Sequence, residues 1–451
     1  MKIAMEQKMF YEYNYEDEHI CPLGPKSSQH FNVLMYFLIN INTLMANLSV
    51  DDIRQIITEY IKKNKEEITM KNKMGRTPLH LIAKNCDKLF LVDIMASLLE
   101  NEIDINAKDI DGWSALMMAC YRPNTVGSIK IIRLLLEYGA NVNLQNNNGW
   151  SALMIASYYT GNKSNKVINL LLKYGADVNL QSSYGWTVLI ISCNNYHTGT
   201  TNIVKRLLLS GANVGLRDNN GGTALMSACS NHYNSENYSN VKLLLEYGSN
   251  VNLQCDFGWS ALMIACRNSV SKCSCEIVRL LLEYGADVNL RDINGWNSLM
   301  ITCRFSSYTV KNEIIKLLLE NMANPNLKSK DGWTALMLAC KFSDINDKNN
   351  EVIKLLLRYN ADVNIKNINN RTALVEACHE EYSTDNILLL LDYGADCFVE
   401  YQPNKTPLHY IIQYVTNVSH LRKIIERICE IRYYRICMNK INRELCYKMI
   451  T

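Results

Sequence analysis

Proline and glycine are both scarce in this chain, 7 and 20 residues in 451. That scarcity excludes a collagen-like or a Pro/Gly-rich disordered chain, and 48% hydrophobic residues are enough to bury a core. An excess of one charge is lacking too: 47 Lys and Arg against 44 Asp and Glu leave a net +3, so nucleic acid is not the default partner. No run of eighteen apolar residues occurs. The nearest, Phe31 to Leu48, is interrupted by Asn32, Asn40, Asn42, Thr43 and Asn47, which argues against a membrane span. The opening MKIAMEQKMFYEYNYEDEHI has no apolar stretch of the kind a secretory leader needs. Sixteen cysteines without a leader are expected to stay reduced, in the cytoplasm or the nucleus. Motifs for metal-assisted hydrolysis, phosphate cradling, acyl transfer or dinucleotide binding are missing, and the eight His are scattered. No catalytic, cofactor or metal residues and no small-molecule substrate are expected.

What the chain has in quantity is itself. A Gly followed two residues later by Thr, Ser or Asn and four later by Leu begins at Gly75, Gly112, Gly149, Gly185, Gly221, Gly258, Gly295 and Gly332. Weakened copies begin at Asn370 and Asn404, and successive anchors lie 37, 37, 36, 36, 37, 37, 37, 38 and 34 residues apart. Such a period marks a stacked-repeat architecture.

Each unit has one grammar. A Thr or Ser that can cap a helix precedes a short apolar run such as Ala115–Cys120; polar text of variable content follows. A second run such as Val167–Leu172 then stops at Tyr174-Gly175-Ala176, where Gly can end a helix in the left-handed conformation. Neither run is long enough to be a stable helix alone, so stability must come from neighbouring units burying each other's Leu faces.

Thr77-Pro78-Leu79-His80, its copy at Thr406 to His409, the Leu-Leu-Leu helices and the GADVN turns at Gly175 and Gly285 resemble the ankyrin repeat. The resemblance runs from about Lys65 to Tyr414, and it is greatest to the ankyrin repeat proteins of amoeba-infecting giant DNA viruses, whose Asn, Ile, Lys and Tyr bias this chain shares. It implies an all-α solenoid of about ten helix-turn-helix units with β-turn fingers and helical caps. It also implies a non-catalytic scaffold that binds a partner protein, host or viral, on a concave face. The expected organisation is a tail over residues 1–28, a helical half-unit over 29–64, repeats over 65–403 and a final degenerate repeat with a basic helical cap over 404–451. Ser419 to Thr451 carries eight Lys or Arg against three Glu. An adaptor that passes a bound substrate to ubiquitin-ligase machinery through that segment is the alternative, although the Leu-Pro-x-Glu start of an F-box-like module is missing.

Departures from the family pattern can be placed. The distance from the turn Gly to the next anchor is constant at ten residues, as from Gly139 to Gly149, so the additional length of each unit belongs between its two helices. Segments such as Asn194 to Thr201, Asn231 to Ser239 and Phe342 to Asn350 read as solvent loops, and Cys273 and Cys275 fall in another. Six units replace the His of TPLH by Met: Met117, Met154, Met226, Met263, Met300 and Met337.

Two rows are candidates for function. All six Trp (Trp113, Trp150, Trp186, Trp259, Trp296, Trp333) follow an anchor Gly, with Gly222 interrupting the series. In the ankyrin fold that implies the base of the finger, where Trp serves either as packing beside Gly or as a recognition strip, Trp being enriched at binding hot spots. Residues that vary at the finger tips, Asn147, Ser183, Asn219, Phe257, Ile293 and Lys330, are the expected specificity determinants. Seven cysteines, Cys120, Cys193, Cys229, Cys266, Cys303, Cys340 and Cys378, share the slot of a small buried residue and read as core. Asp177, Asp287, Asp362 and Asn141 read as turn chemistry. Asn179 and Asn289 resemble ankyrin asparagines that hydroxylases modify.

Overall fold

The computed structural model describes residues 33–432 apart from 122–124, 160–164, 196–199, 231–235, 269–271, 306–307, 343–350, 379–383, 399, 401–404 and 416. The expected tail at 1–28, most of the added inter-helix residues and the chain beyond 432 lie outside the described residues. Within them the architecture is all-α and repetitive. First helices run Pro78–Lys84, Ala115–Tyr121, Ala152–Tyr159, Val188–Asn194, Ala224–Ser230, Ala261–Arg267, Ser298–Phe305, Ala335–Lys341, Ala373–Ala377 and Pro407–Tyr414. Each packs on the first helix of the next unit. The second helices, from Leu91–Leu99 through Val126–Glu137 and on to Glu351–Arg358, pack on each other in the same order. The result is one continuous apolar spine, from Leu34 to Ile428, with no separate centre. Strand pairing among the described residues is confined to isolated bridges across the turns, such as Gln145 with Ser151.

Capping starts the first helices where the sequence places it. Thr187 Oγ1 accepts from Ile190 N at 3.2 Å, and Ser260 Oγ and Thr334 Oγ1 serve Met263 N and Met337 N, each at 3.3 Å. In the outer units the His completes a reciprocal cap. His80 Nδ1 lies 2.8 Å from Thr77 Oγ1, and its Nε2 lies 3.0 Å from the Trp113 carbonyl of the next unit. Burial holds His80 below its ordinary pKa. The Met that replaces it in six units is buried and packs without that polar tie, as do Ile190 and Val375 in two others.

Two kinds of glycine serve the turn. Gly175, at φ +80°, ends a second helix with its N–H on Leu172 O, and a Cβ there would meet open space. Gly149, at φ +72°, is an anchor whose Cβ would lie 2.6 Å from Ser183 N, so it permits the close approach of the next finger as well as the left-handed turn. Asn370 occupies the anchor position at φ +58°, and Asn tolerates that region better than most residues.

At the start, Val33–Ile39 packs on Pro78–Lys84 and Val50–Lys63 on Leu91–Leu99, as the two helices of a unit would. The apolar run before Val50 is two helices, Val33–Ile39 and Ile41–Asn47, parted at Asn40, whose side chain bonds Tyr36 O at 2.9 Å. At the far end a helix over 418–432 buries Ile424 and Ile428, and Arg427 Nε meets Asp392 Oδ1 at 2.6 Å.

Three loop expectations need correction. Asn195 is buried and donates to Ser157 O at 2.9 Å and Tyr158 O at 3.0 Å in the preceding unit, because the first-helix ends leave carbonyls facing the stack. Asn237 and Ser239 belong to the helix Asn237–Glu246, with Asn237 and Asn240 buried. Cys273 and Cys275 belong to the helix Lys272–Glu283, where Cys275 fills the spine.

Candidate protein-binding face

The backbone of every Trp is clamped by the residue four positions before it. Asn146 Oδ1 accepts Trp150 N at 2.8 Å while Asn146 N donates to Trp150 O at 3.0 Å. Asp109 and Asp292 hold Trp113 and Trp296 through equivalent 2.8 Å bonds, and Ser182 and Ser329 hold Trp186 and Trp333 at 3.1 Å. This turn fixes each indole at one height in its unit. Trp150 is 1% exposed; Trp113, Trp186, Trp259, Trp296 and Trp333 are half-buried against the core. Trp150 and Trp186 meet directly, with ring centroids 6.4 Å apart.

Eight residues after each Trp, at the end of the first helix, stands a side chain that touches or flanks it. Tyr121 meets Trp113 edge-on at 6.2 Å, and Tyr158 meets Trp150 at 5.8 Å. Tyr159 joins the two pairs, 4.3 Å from Tyr121 and 4.9 Å from Tyr158. In the middle units the position holds Asn194 and Ser230. Beyond them it turns cationic: the Arg267 guanidinium lies 5.4 Å from the Trp259 ring, and Lys341 Nζ lies 4.6 Å from the Trp333 ring. Arg304 sits between Phe305 and Phe342, 5.2 and 3.6 Å from their centroids. Sequence reasoning passed over this column. It was present as the residue nine after each anchor and needed only to be read down the repeats.

The expected finger-tip residues form a separate row. Asn147, Ser183, Asn219, Phe257, Ile293 and Lys330 are all exposed. Their backbones join finger to finger: Ser183 N donates to Asn148 O at 2.9 Å, Ile293 N to Phe257 O at 3.1 Å and Lys330 N to Asn294 O at 2.8 Å. Asn147 and Asn219 also commit their side-chain amides to the preceding finger, on Ile110 O at 3.0 Å and Ser183 O at 2.9 Å. Ser183, Phe257, Ile293 and Lys330 keep their side chains toward solvent.

A second ladder ties the turns together. Asp177 Oδ1 accepts Asn179 N at 2.8 Å, and Asp287, Asp362 and Asn141 make the same local turn bond. The asparagine that follows bridges units: Asn179 Nδ2 donates to Gly211 O at 3.1 Å while its Oδ1 accepts Asn213 N at 2.8 Å. Asn143, Asn252, Asn289, Asn326 and Asn364 repeat both bonds. Gly215 occupies the position in the unit that also has Gly222 in place of Trp, so both rows lapse together.

The cysteine row is core. Burial pushes the Cys193, Cys266, Cys303 and Cys378 thiols up to about 12, and Cys120, Cys229 and Cys340 upward for the same reason. Among the described residues no three His, Cys, Asp or Glu side chains converge as metal ligands would. No helix among them is long and apolar enough to cross a membrane.

A family model of three consecutive ankyrin repeats matches the chain in overlapping windows that together span residues 43–434. No curated protein matches it.

Proposed function

The chain belongs to the ankyrin repeat family, whose repeats generally mediate protein–protein interaction, and we propose that it is a non-catalytic scaffold holding a partner protein along the Trp row. The observation that carries this reading is the pairing, in five units, of a half-buried Trp with a side chain of changing chemistry eight residues on. The constant residue supplies apolar contact area and the changing one supplies identity. A rigid stack offers both without ordering cost at the moment of binding. The resemblance of the repeats to those of giant-virus ankyrin proteins points to a host or viral protein as partner.

The test is photo-crosslinking from a benzophenone residue placed at Ser183 or Phe257 in the full chain, with identification of the captured protein. Trp259→Ala and Trp296→Ala should abolish capture while leaving helix content intact. Trp150→Ala should instead weaken the fold, by about 3–5 kcal/mol for an indole lost from a packed site. Should all three variants lose cooperative unfolding and none lose capture, the row is packing and the reading fails.

The adaptor reading has one supporting feature. The 418–432 helix is anchored through Ile424, Ile428 and Arg427 and leaves Arg422, Lys423 and Ile425 outward. Co-purification of cullin-based ligase components that vanishes on deleting residues 422–451 would favour it.

A further inference from the structure

We propose that the last three Trp units form a dedicated site for an acidic, extended peptide segment of the partner, read by Arg267, Arg304 and Lys341. The inference rests on the scaffold reading and adds to it the chemistry of what is bound. The three cations and their rings make an unbroken alternation: Trp259, Arg267, Phe305, Arg304, Phe342, Lys341, Trp333. Arg267 lies 5.4 Å from the Trp259 ring and 5.7 Å from the Phe305 ring; Lys341 lies 4.6 Å from Trp333 and 5.7 Å from Phe342. Ring contact restrains each cation in place at little cost to its charge. None of the three has a carboxylate within ion-pair distance among the described residues, although ion pairs elsewhere on the surface are common. Among the described residues, positive charge is therefore held in register over three units with no carboxylate paired to it.

The spacing selects the ligand. Successive units lie roughly 10 Å apart, one helix-packing distance, and a segment in the extended polyproline II conformation advances about 3.1 Å per residue with three residues per turn, so a carboxylate at every third residue stays on one face and meets one cation per unit. The residues between them would lie against the half-buried edges of Trp259, Trp296 and Trp333. Double-stranded nucleic acid fits less well. Its charge recurs about every 1.7 Å along the axis, far more densely than one cation per unit can match. The first three Trp units carry Tyr121, Tyr158 and Asn194 at the same position and have no such preference for carboxylates.

The experiment uses the full chain and fluorescein-labelled twelve-residue peptides with Glu at every third position, their Gln counterparts, and an oligodeoxythymidine of equal length, followed by fluorescence anisotropy. The Glu peptide should bind about tenfold or more tightly than the Gln peptide, as three exposed ion pairs acting together allow, and should weaken with added salt. The triple variant Arg267→Gln/Arg304→Gln/Lys341→Gln should lose this preference with unchanged circular dichroism. Arg267→Lys/Arg304→Lys should retain most of it. Equal binding of Glu and Gln peptides overturns the proposal, as does tighter binding of the oligonucleotide with the same dependence on the three cations. If the photo-crosslinked protein is captured equally by the wild type and the triple Gln variant, the acidic-segment inference falls while the scaffold reading stands. If neither peptide nor protein is bound, both fall.

Discussion

Gly215→Asn should strengthen one joint of the stack by an amount that can be worked out from its neighbours. Gly215 stands where Asn143, Asn179 and Asn252 each make two bonds to the following turn. Its φ is outside the left-handed region, and a Cβ built there meets only Asn213 Oδ1 at 3.3 Å, the far end of a side chain. An Asn can therefore enter in the rotamer its counterparts use, donating to Gly248 O and accepting from Asn250 N. Two exposed hydrogen bonds at the low end of their usual worth add about 1 kcal/mol, and removing a glycine's freedom from the unfolded chain adds ~0.4–1 kcal/mol. A total of about 1.5–2 kcal/mol corresponds to a roughly tenfold to thirtyfold drop in local opening. Hydrogen exchange read by mass spectrometry over residues 248–252 is the assay. The Asn250 amide should slow by that factor, with little change at Asp177, which Asn143 already holds. Unchanged exchange at Asn250, or equal slowing along the whole chain, would refute the claim that the ladder acts joint by joint.

Two further perturbations separate local geometry from burial. Gly149→Ala should cost more than Gly175→Ala: both sit at positive φ, but only at Gly149 would the Cβ strike backbone, 2.6 Å from Ser183 N. The second should cost about 1 kcal/mol and the first clearly more, and equal shifts in thermal unfolding would contradict this. The thiol row should make the protein sensitive to alkali. Folding raises these pKa values from 9.0 to about 12 at Cys193, Cys266, Cys303 and Cys378, so stability is intact below pH 9 and is lost as pH climbs from 9 toward 12. Each thiol contributes up to about 1.4 kcal/mol per pH unit in that window. The urea midpoint should be flat from pH 7 to 8.5 and then fall, less steeply in Cys266→Ala/Cys303→Ala; a flat profile through pH 10.5 would count against it.

The fold is almost wholly legible in the sequence because the period, a capping side chain and a turn Gly recur in most units, Met322 and Asn360 taking the left-handed conformation where Gly is replaced, and each carries its own physical reason. Most of the added residues lie outside the described ones, and at the edges of those segments the solvent-loop reading fails. Asn195 and Asn237 look like solvent-loop residues by composition, yet both are buried: Asn195 because it satisfies carbonyls at the helix end of the preceding unit, Asn237 because it lies in the first turn of its helix. The turn role of Asp177 follows from local chemistry and was readable. The bridging role of Asn179 was not, since its partners are 32 and 34 residues away and meet it only when units stack. The Trp row was visible as a row of identical letters. Its companion column was hidden because its letters differ, and a scan for sameness passes over a column whose content is variation.

The two lapses, Gly215 and Gly222, are better understood together than singly. In a one-dimensional stack each joint supports itself, so a missing contact is not averaged over a common core and must be made up at the same joint or left as a weak point. Arg217 meets part of that need. Its guanidinium donates to Gly221 O at 3.0 Å and Gln254 O at 2.6 Å and lies 3.9 Å from Asp256, reaching across the joint the Asn bridge omits. Gln145 and Gln181 span their own joints from the same position with a shorter amide. Arg291 also reaches Lys328 O from this position, at a joint where Asn289 is present. Arginine is therefore not reserved for the faulted joint, and its pairing with Asp256 is what distinguishes Arg217. The stack is thus continuous in its spine and finger backbone, while the surface rows break once, between the Tyr-lined units and the cationic ones. A partner contacting both halves meets two chemistries at a fixed separation, and reversing its direction on the stack would set its carboxylates against tyrosine and asparagine.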